Sequence, residues 1–250
     1  MKILFSPSEA KSDFSDFKAI NKNSMLFPEL FEKRLYVINK LNFFLKNSKH
    51  ANITKFFGIK DEEELKKLAS LDLLDAPTCK AIYRYTGVAY KYLDFHSLDS
   101  IQKDWLEKNT IIFSNLFGPL LAKDYIPYYR FKQASSLEGF KPEIYYKENF
   151  SDRLDDFIDS ELVIDLRAGF YEKFYKLTSK HITMKFIKNG KVVSHWAKAY
   201  RGLVLRELAK QQPSTIEEFD MIDFKGLHVK EIIDKKSRRE YIFDIVQDKE

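Results

Sequence analysis

The stretch Ala197-Lys198-Ala199-Tyr200-Arg201-Gly202 sets two cations three residues apart, with a glycine beside the second. Residues at that spacing are neighbours on a helix surface. Such a pair suits phosphate, with arginine gripping it bidentately and lysine acting as a point charge. A glycine inside a helix costs about 1 kcal/mol relative to alanine. Gly202 therefore suggests that something approaches the backbone closely, and it joins Lys198 and Arg201 as a candidate phosphate site. The competing reading is a solvated helix face whose glycine eases packing. Arg206 lies off this stripe and is a possible supporting cation.

Four more groups carry candidate chemistry. Ser8, Glu9 and Lys11 follow a first apolar run, where loops at strand ends hold ligands. There Lys11 would grip phosphate, and Glu9 would orient the ligand or act as a base. An exposed ion pair is the alternative, and the glycines of a phosphate-binding loop are missing. Pro77 to Leu93 reads as two short helices joined at Thr86-Gly87-Val88. A tight glycine hairpin of this kind presents amides to a DNA phosphate, with Lys91 and Arg84 adding charge. An ordinary corner between helices is equally compatible. Tyr128, Tyr129 and Arg130 mix rings and charge as base-stacking surfaces do, though core packing competes for the tyrosines. Tyr171 with Arg167 and Lys173 has the same ambiguity.

Composition narrows the classes. The chain has 250 residues, 44% of them apolar, and a net charge of +5. That is enough for a full core and describes a globular protein. The basic excess is spread along the chain, so any anion-binding surface must be assembled by folding. The single cysteine, Cys79, excludes an intrachain disulfide and a cysteine-based zinc site. No apolar run approaches the roughly 20 residues of a membrane span, and the N-terminal one is too short for a signal peptide. A cytoplasmic protein without a membrane partner is expected. His50, His96, His181, His195 and His228 are far apart, and no Glu-x-x-His pair occurs, so no metal site and no cofactor are expected. No nucleophile elbow is present, and Cys79 lacks a neighbouring histidine, so no catalytic residue is assigned.

These residues must be positioned by a mixture of strands and helices. Lys2 to Phe5, Thr110 to Phe113 and Leu162 to Ile164 read as buried strands. Asn189-Gly190 between two β-rich arms predicts a type I′ hairpin. A second hairpin is predicted for the tail, from Leu227 to Ile233 and from Tyr241 to Val246. Helices are expected after Pro28, over Asp61 to Ala69, after Pro77, after a Ser97 cap, and from the Asn-Gly hairpin to Pro213. In the last of these, Trp196, Tyr200, Leu203, Val204 and Leu208 form the predicted apolar face. Ser214 and Glu217 suggest a capping box for one more. The absence of a strict βαβ rhythm points to a mixed α/β (α+β) fold, read as one domain over 1–250.

Several stretches occur in the order of a known family. They are Pro7-Ser8-Glu9-Ala10-Lys11, Tyr85-Thr86-Gly87-Val88-Ala89-Tyr90, and Ser114-Asn115-Leu116-Phe117-Gly118. Asp124, Pro127-Tyr128-Tyr129-Arg130, Asp165-Leu166-Arg167 with Tyr171, and Ala197 to Gly202 follow. The chain resembles the YaaA-type peroxide stress proteins over nearly its whole length. It departs from them where Tyr129 interrupts a Pro-Tyr-Arg run, and where Asp165-Leu166-Arg167-Ala168 replaces Asn-Leu-Ala-Ser. The resemblance implies a family-specific single-domain fold with a mixed sheet, flanking helices, a helix-hairpin-helix-like element and a positively charged cleft. It also implies DNA binding, a cytosolic location and protection from hydrogen peroxide by limiting free iron. The expected function is thus non-catalytic, backbone-directed binding of duplex DNA by a monomer. Its expected contacts are Lys11, Gly87, Lys91, Arg130, Lys198, Arg201 and Gly202, with Glu9, Arg167, Tyr171 and Arg206 in support. The alternative is an enzyme acting on a phosphorylated or nucleotide-like small molecule, with Glu9 or Asp165 as base.

Overall fold

The first strand, β1 (Lys2–Phe5), is an apolar run that lies in the middle of the main sheet. The computed structural model describes residues 1–137 and 139–246, apart from the side chains of Ser194 and His195. Within them β1 pairs in parallel with β3 (Thr110–Ser114) on one side and β6 (Val163–Asp165) on the other. β7 (His181–Lys188) continues the parallel array from β6, and β10 (Arg238–Ile245) from β7. The borders are antiparallel: β4 (Gly118–Leu121) on β3, and β9 (Leu227–Asp234) on β10. β8 (Lys191–Val192) folds back on β7 through Asn189 and Gly190, both with positive φ, as a type I′ turn requires. The sheet is mixed, and both predicted hairpins form.

The helices follow local signals with some displacement. α1 (Phe31–Asn47) begins after a single 3-10 turn at Pro28. α2 (His50–Phe57) and α3 (Glu62–Ala69) come next, and Asp61 caps α3 with three glutamates in its first turn. α6 (Ser100–Asn109) is capped by Asp99 in a capping box with Gln102, two residues beyond the expected Ser97. α7 (Pro142–Ile158) starts on a proline. α8 (Ser194–Gln211) runs straight from the Asn-Gly hairpin. α9 (Ile216–Asp220) is capped by Thr215, while Ser214 bonds Glu218 rather than Glu217.

Two expectations fail for tertiary reasons. Pro77 does not open a helix. It precedes β2 (Thr78–Lys80), which pairs with β5 (Tyr125–Pro127) in a separate two-stranded sheet, leaving one helical turn, α4 (Ala81–Arg84). The apolar face of α8 is also rotated from the expected one. Ala197, Val204, Leu205, Leu208 and Ala209 are buried, whereas Trp196 is exposed.

A buried polar knot ties β4 to the N-terminal helices. Arg34 is fully buried and donates to the carbonyls of Phe117, Phe27 and Pro119. Asp124 accepts the amides of Leu26 at 2.7 Å and Leu121 at 3.0 Å. Burial pushes its pKa up to about 6, against those amides and Arg34. The folded protein thus holds this proton more tightly than the unfolded chain does. The Asp124 contribution to stability therefore falls as pH rises from about 4 to about 6, by at most about 1.4 kcal/mol per pH unit. Asp124→Asn keeps an acceptor and cannot titrate. Urea midpoints across that window should show the wild type losing stability relative to Asp124→Asn as pH rises. Parallel curves would contradict the assignment.

Candidate functional site: a cationic crevice at the carboxyl ends of two central strands

From β1 the chain crosses to β3 on one side and later returns to β6 on the other. Such a reversal leaves a crevice beyond the carboxyl ends of the strands. A cavity of about 350 Å³ lies there. Its floor comes from Phe5, Ser6 and the Pro7–Ala10 loop after β1, with Leu166 and Ala168 after β6. Its walls are Gly87 to Tyr90 at the start of α5 (Val88–Leu93), Tyr171, and Lys198 and Arg201 of α8.

The loop after β1 is held by hydrogen bonds to the elements around it. Ser8 Oγ accepts the Gly87 amide at 2.8 Å and donates to the Ala10 carbonyl at 2.6 Å. Ser6 Oγ accepts the Ala168 amide, and the Tyr90 hydroxyl donates to the Ser6 carbonyl. Glu9 accepts the Gln133 amide at 3.2 Å and stays exposed at the rim. Gly87 is needed because a Cβ there would lie 2.5 Å from Ser8 Oγ; its φ of −68° suits any residue.

Gly202 answers the question raised by its position. A Cβ on it would lie 2.0 Å from the Ala89 carbonyl oxygen and 3.0 Å from the Leu93 nitrogen. The group that approaches its backbone is α5 itself. Gly202 lets α8 cross α5 in direct backbone contact, which brings Lys198 and Arg201 to the crevice.

Arg201 is half-buried, and among the described residues none accepts a hydrogen bond from it. Burial lowers its pKa, and the carboxylates of Asp165 and Glu172 oppose that shift. Lys198 is exposed, one turn away. Tyr171 is buried, and burial raises its phenol above the ordinary value. Two cations therefore face a cavity of nucleotide size with a tyrosine and Glu9 on its walls, and anion binding is the chemistry this arrangement supports.

The other expected contacts are placed differently. Gly202 and the Gly87 amide are engaged internally, as described. Lys91 is exposed on α5 but outside the crevice lining. Arg130 pairs with Glu64 at 2.8 Å, and Lys11 lines a neighbouring cavity. Arg167 is a core strut: it pairs with Asp165 at 2.7 Å and donates to the carbonyls of Tyr171 and Tyr175. That pairing also takes Asp165 out of the role of a free base. Arg206 donates to the carbonyls of Leu93 and Asp94, closing the end of α5. Arg84 is fully buried and bonds Ser12, Phe14, Ser15 and Ile126, so it adds no surface charge. Ser6 was missed by sequence reasoning; its place before Pro7 at a strand end was the available signal. Tyr129 is buried and bonds Tyr85 and Ser114 through its hydroxyl, each at 2.8 Å.

Among the described residues, no three His, Cys, Asp or Glu side chains converge as metal ligands would. The side chain of His195 lies outside that description. Cys79 is buried, and burial raises its thiol to about 11, which makes it a poor nucleophile. No helix among the described residues is long and apolar enough to cross a membrane.

Fold and site together define an α/β protein with a crevice, lined in part by Lys198 and Arg201, at the switch point of its mixed sheet. The family model described as "Peroxide stress protein YaaA" matches residues 1–232, and the chain belongs to that family. An uncharacterized Campylobacter jejuni protein, Cj0984, is 46% identical over 98% of this chain and 100% of its own length. A UPF0246 protein of Corynebacterium efficiens is 32% identical, covering 84% of this chain and 85% of its own. Another, from Fusobacterium nucleatum, is 26% identical over 95% and 97%.

The α5–α8 contact carries a direct test. Helix propensity alone would make Gly202→Ala stabilising by about 1 kcal/mol. The Ala89 carbonyl leaves no room for the methyl, so the substitution should instead destabilise by about 1–3 kcal/mol in urea unfolding. A gain in stability would refute the contact.

Proposed function

We propose that the protein acts in the hydrogen peroxide response as a non-catalytic DNA-binding protein, with Arg201 and Lys198 contacting backbone phosphates. The observation that carries this reading is Arg201, a half-buried guanidinium facing a cavity without a hydrogen-bond acceptor among the described residues. An anion supplied from outside would complete it. Lys91, exposed on the helix packed against α8, adds charge nearby. Contacts of this kind position a duplex and carry little sequence information. Bound protein would shield DNA from iron-driven damage; the family's description as a peroxide stress protein supports the peroxide part of this reading. The reading places the protein in the cytoplasm as a monomer.

One observation favours a second reading. The crevice has a volume of about 350 Å³, the size of a small ligand, and Glu9 lies on its rim. A small phosphorylated or nucleotide-like molecule would fill it, with Glu9 as base.

Fluorescence anisotropy on a short duplex across a salt series separates the two. DNA binding predicts that affinity falls steeply with salt. The log–log slope should shrink by about 1.8 in Lys198→Ala/Arg201→Ala, about 0.9 for each lost phosphate contact. Binding that is absent, or insensitive to salt, sinks the DNA reading. Binding of a mononucleotide that depends on Arg201 would then support the second.

A further inference from the structure

A further cavity, of about 250 Å³, opens where β6, β7 and β10 lie side by side in the sheet. It is separate from the crevice. Leu166 and Ala168 line the crevice, whereas Asp165 and Arg167 line this cavity, so the segment after β6 divides the two. We propose that this cavity is a second anion site, which takes the dianion of a phosphate monoester against the basic turn between β9 and β10.

Its floor follows from strand register. His181 and Thr183 are two residues apart on β7 and so face the same side of the sheet. Arg238 of β10 lies opposite His181, and Asp165 of β6 lies opposite Thr183. Parallel strands usually present apolar side chains on both faces, and this patch is polar instead. Arg167 pairs with Asp165 and donates to two main-chain carbonyls, so neither of those charges is free.

The remaining cations have donors to spare. Lys235 and Arg238 reach the buried Glu240 only at 3.7 and 3.6 Å, and neither side chain donates a hydrogen bond to a described residue. Glu240 is bonded instead by Lys185, at 3.2 Å. Lys176, exposed on the cavity wall, forms no ion pair with a described residue. Two groups of the floor also lack partners. His181 is 8% exposed, and its Nδ1 donates to the Ser179 carbonyl at 2.8 Å, since a carbonyl can only accept. Its Nε2 has no partner among the described residues. Thr183 Oγ1 is buried and is likewise unpaired. Buried hydroxyls are nearly always bonded, so an unpaired one under a cationic cavity points to a ligand that completes it.

Charge selects the ligand. Arg167, Lys176, Lys235 and Arg238 line the cavity against two carboxylates, Asp165 and Glu172. Glu240 is matched by Lys185. Counting His181 as neutral, about two positive charges are in excess. A phosphate monoester carries nearly two negative charges near neutral pH, whereas each phosphodiester of a DNA backbone carries one. The excess fits the monoester and sets this site apart from the backbone contacts assigned to the crevice. A small molecule and the terminal phosphate of a nucleic-acid strand share this chemistry.

Amide NMR of the intact protein, titrated with methyl phosphate at about pH 7.5 and constant ionic strength, tests the proposal. The amides of Thr183, Ser237 and Arg238 should shift saturably. Dimethyl phosphate, a monoanion, should bind at least about tenfold more weakly. Lys235→Gln/Arg238→Gln, on the exposed turn, should weaken methyl phosphate at least about tenfold. Thr183→Val should weaken it too without lowering the urea midpoint, because the hydroxyl it removes is unpaired. No saturable shift at these amides would overturn the proposal, as would undiminished affinity in Lys235→Gln/Arg238→Gln. Equal affinity for the two phosphates would overturn the assignment of a dianion. Competition by a terminally phosphorylated oligonucleotide, and not by its unphosphorylated counterpart, would identify a strand end as the source; no competition by either would identify a small monoester. Lys198→Ala/Arg201→Ala should bind methyl phosphate here as the wild type does, so this proposal and the DNA reading fail independently.

Discussion

The site depends on a backbone contact without room for one methyl group. α8 crosses α5 where Gly202 meets the Ala89 carbonyl. A larger residue there would push the helices apart. The first turn of α5 forms one wall of the crevice, and Lys198 and Arg201 form another. Arg206 reinforces the crossing by closing the carboxyl end of α5 at Leu93 and Asp94. Ser8 meets Gly87 in a second close contact at the start of α5 and so fixes the loop after β1 against the same helix. Two glycines thus bring three elements distant in sequence around one cavity.

The arginines divide by what accepts their hydrogen bonds. Arg34, Arg84 and Arg167 are buried and satisfied largely by main-chain carbonyls, with Asp165 also bonding Arg167. They join segments that share no local structure, and removing one would leave several buried carbonyls unpaired. Arg201 stands apart because it faces a cavity and has no such acceptor among the described residues. Total charge is a poor guide to surface charge in this chain for that reason: several of its cations are structural struts.

The loop after β1 separates two cavities of different character. On one side its residues Ser6 to Ala10 face the cationic crevice at the sheet end. On the other, Lys11 sits over the rings of Tyr85 and Tyr129 beside α3. Tyr85, Tyr90 and Tyr129 are buried, and burial raises all three phenols, so they serve as rigid hydrogen-bonding walls. One short loop therefore borders two separate cavities.

The amino-acid sequence alone determined the elements whose signals are local. Asn189-Gly190 required its turn because both residues need positive φ. Asp61 with the glutamates after it specified the start of α3, and the apolar runs at Lys2–Phe5 and Val163–Asp165 specified central strands. The residue types at the crevice were legible too, since Lys198, Arg201, Glu9 and Tyr171 were singled out by type and spacing. Tertiary structure decided which of them meet. Pairing of Thr78 with Pro127 turned an expected helix start into a strand. Whether a given arginine is a strut or a ligand contact was settled by carbonyls tens of residues away, as for Arg84 with Ser12 and Ile126. Spacing along a chain records which residues share a face. It does not record what that face meets, and at Gly202 that partner was another helix of the same protein.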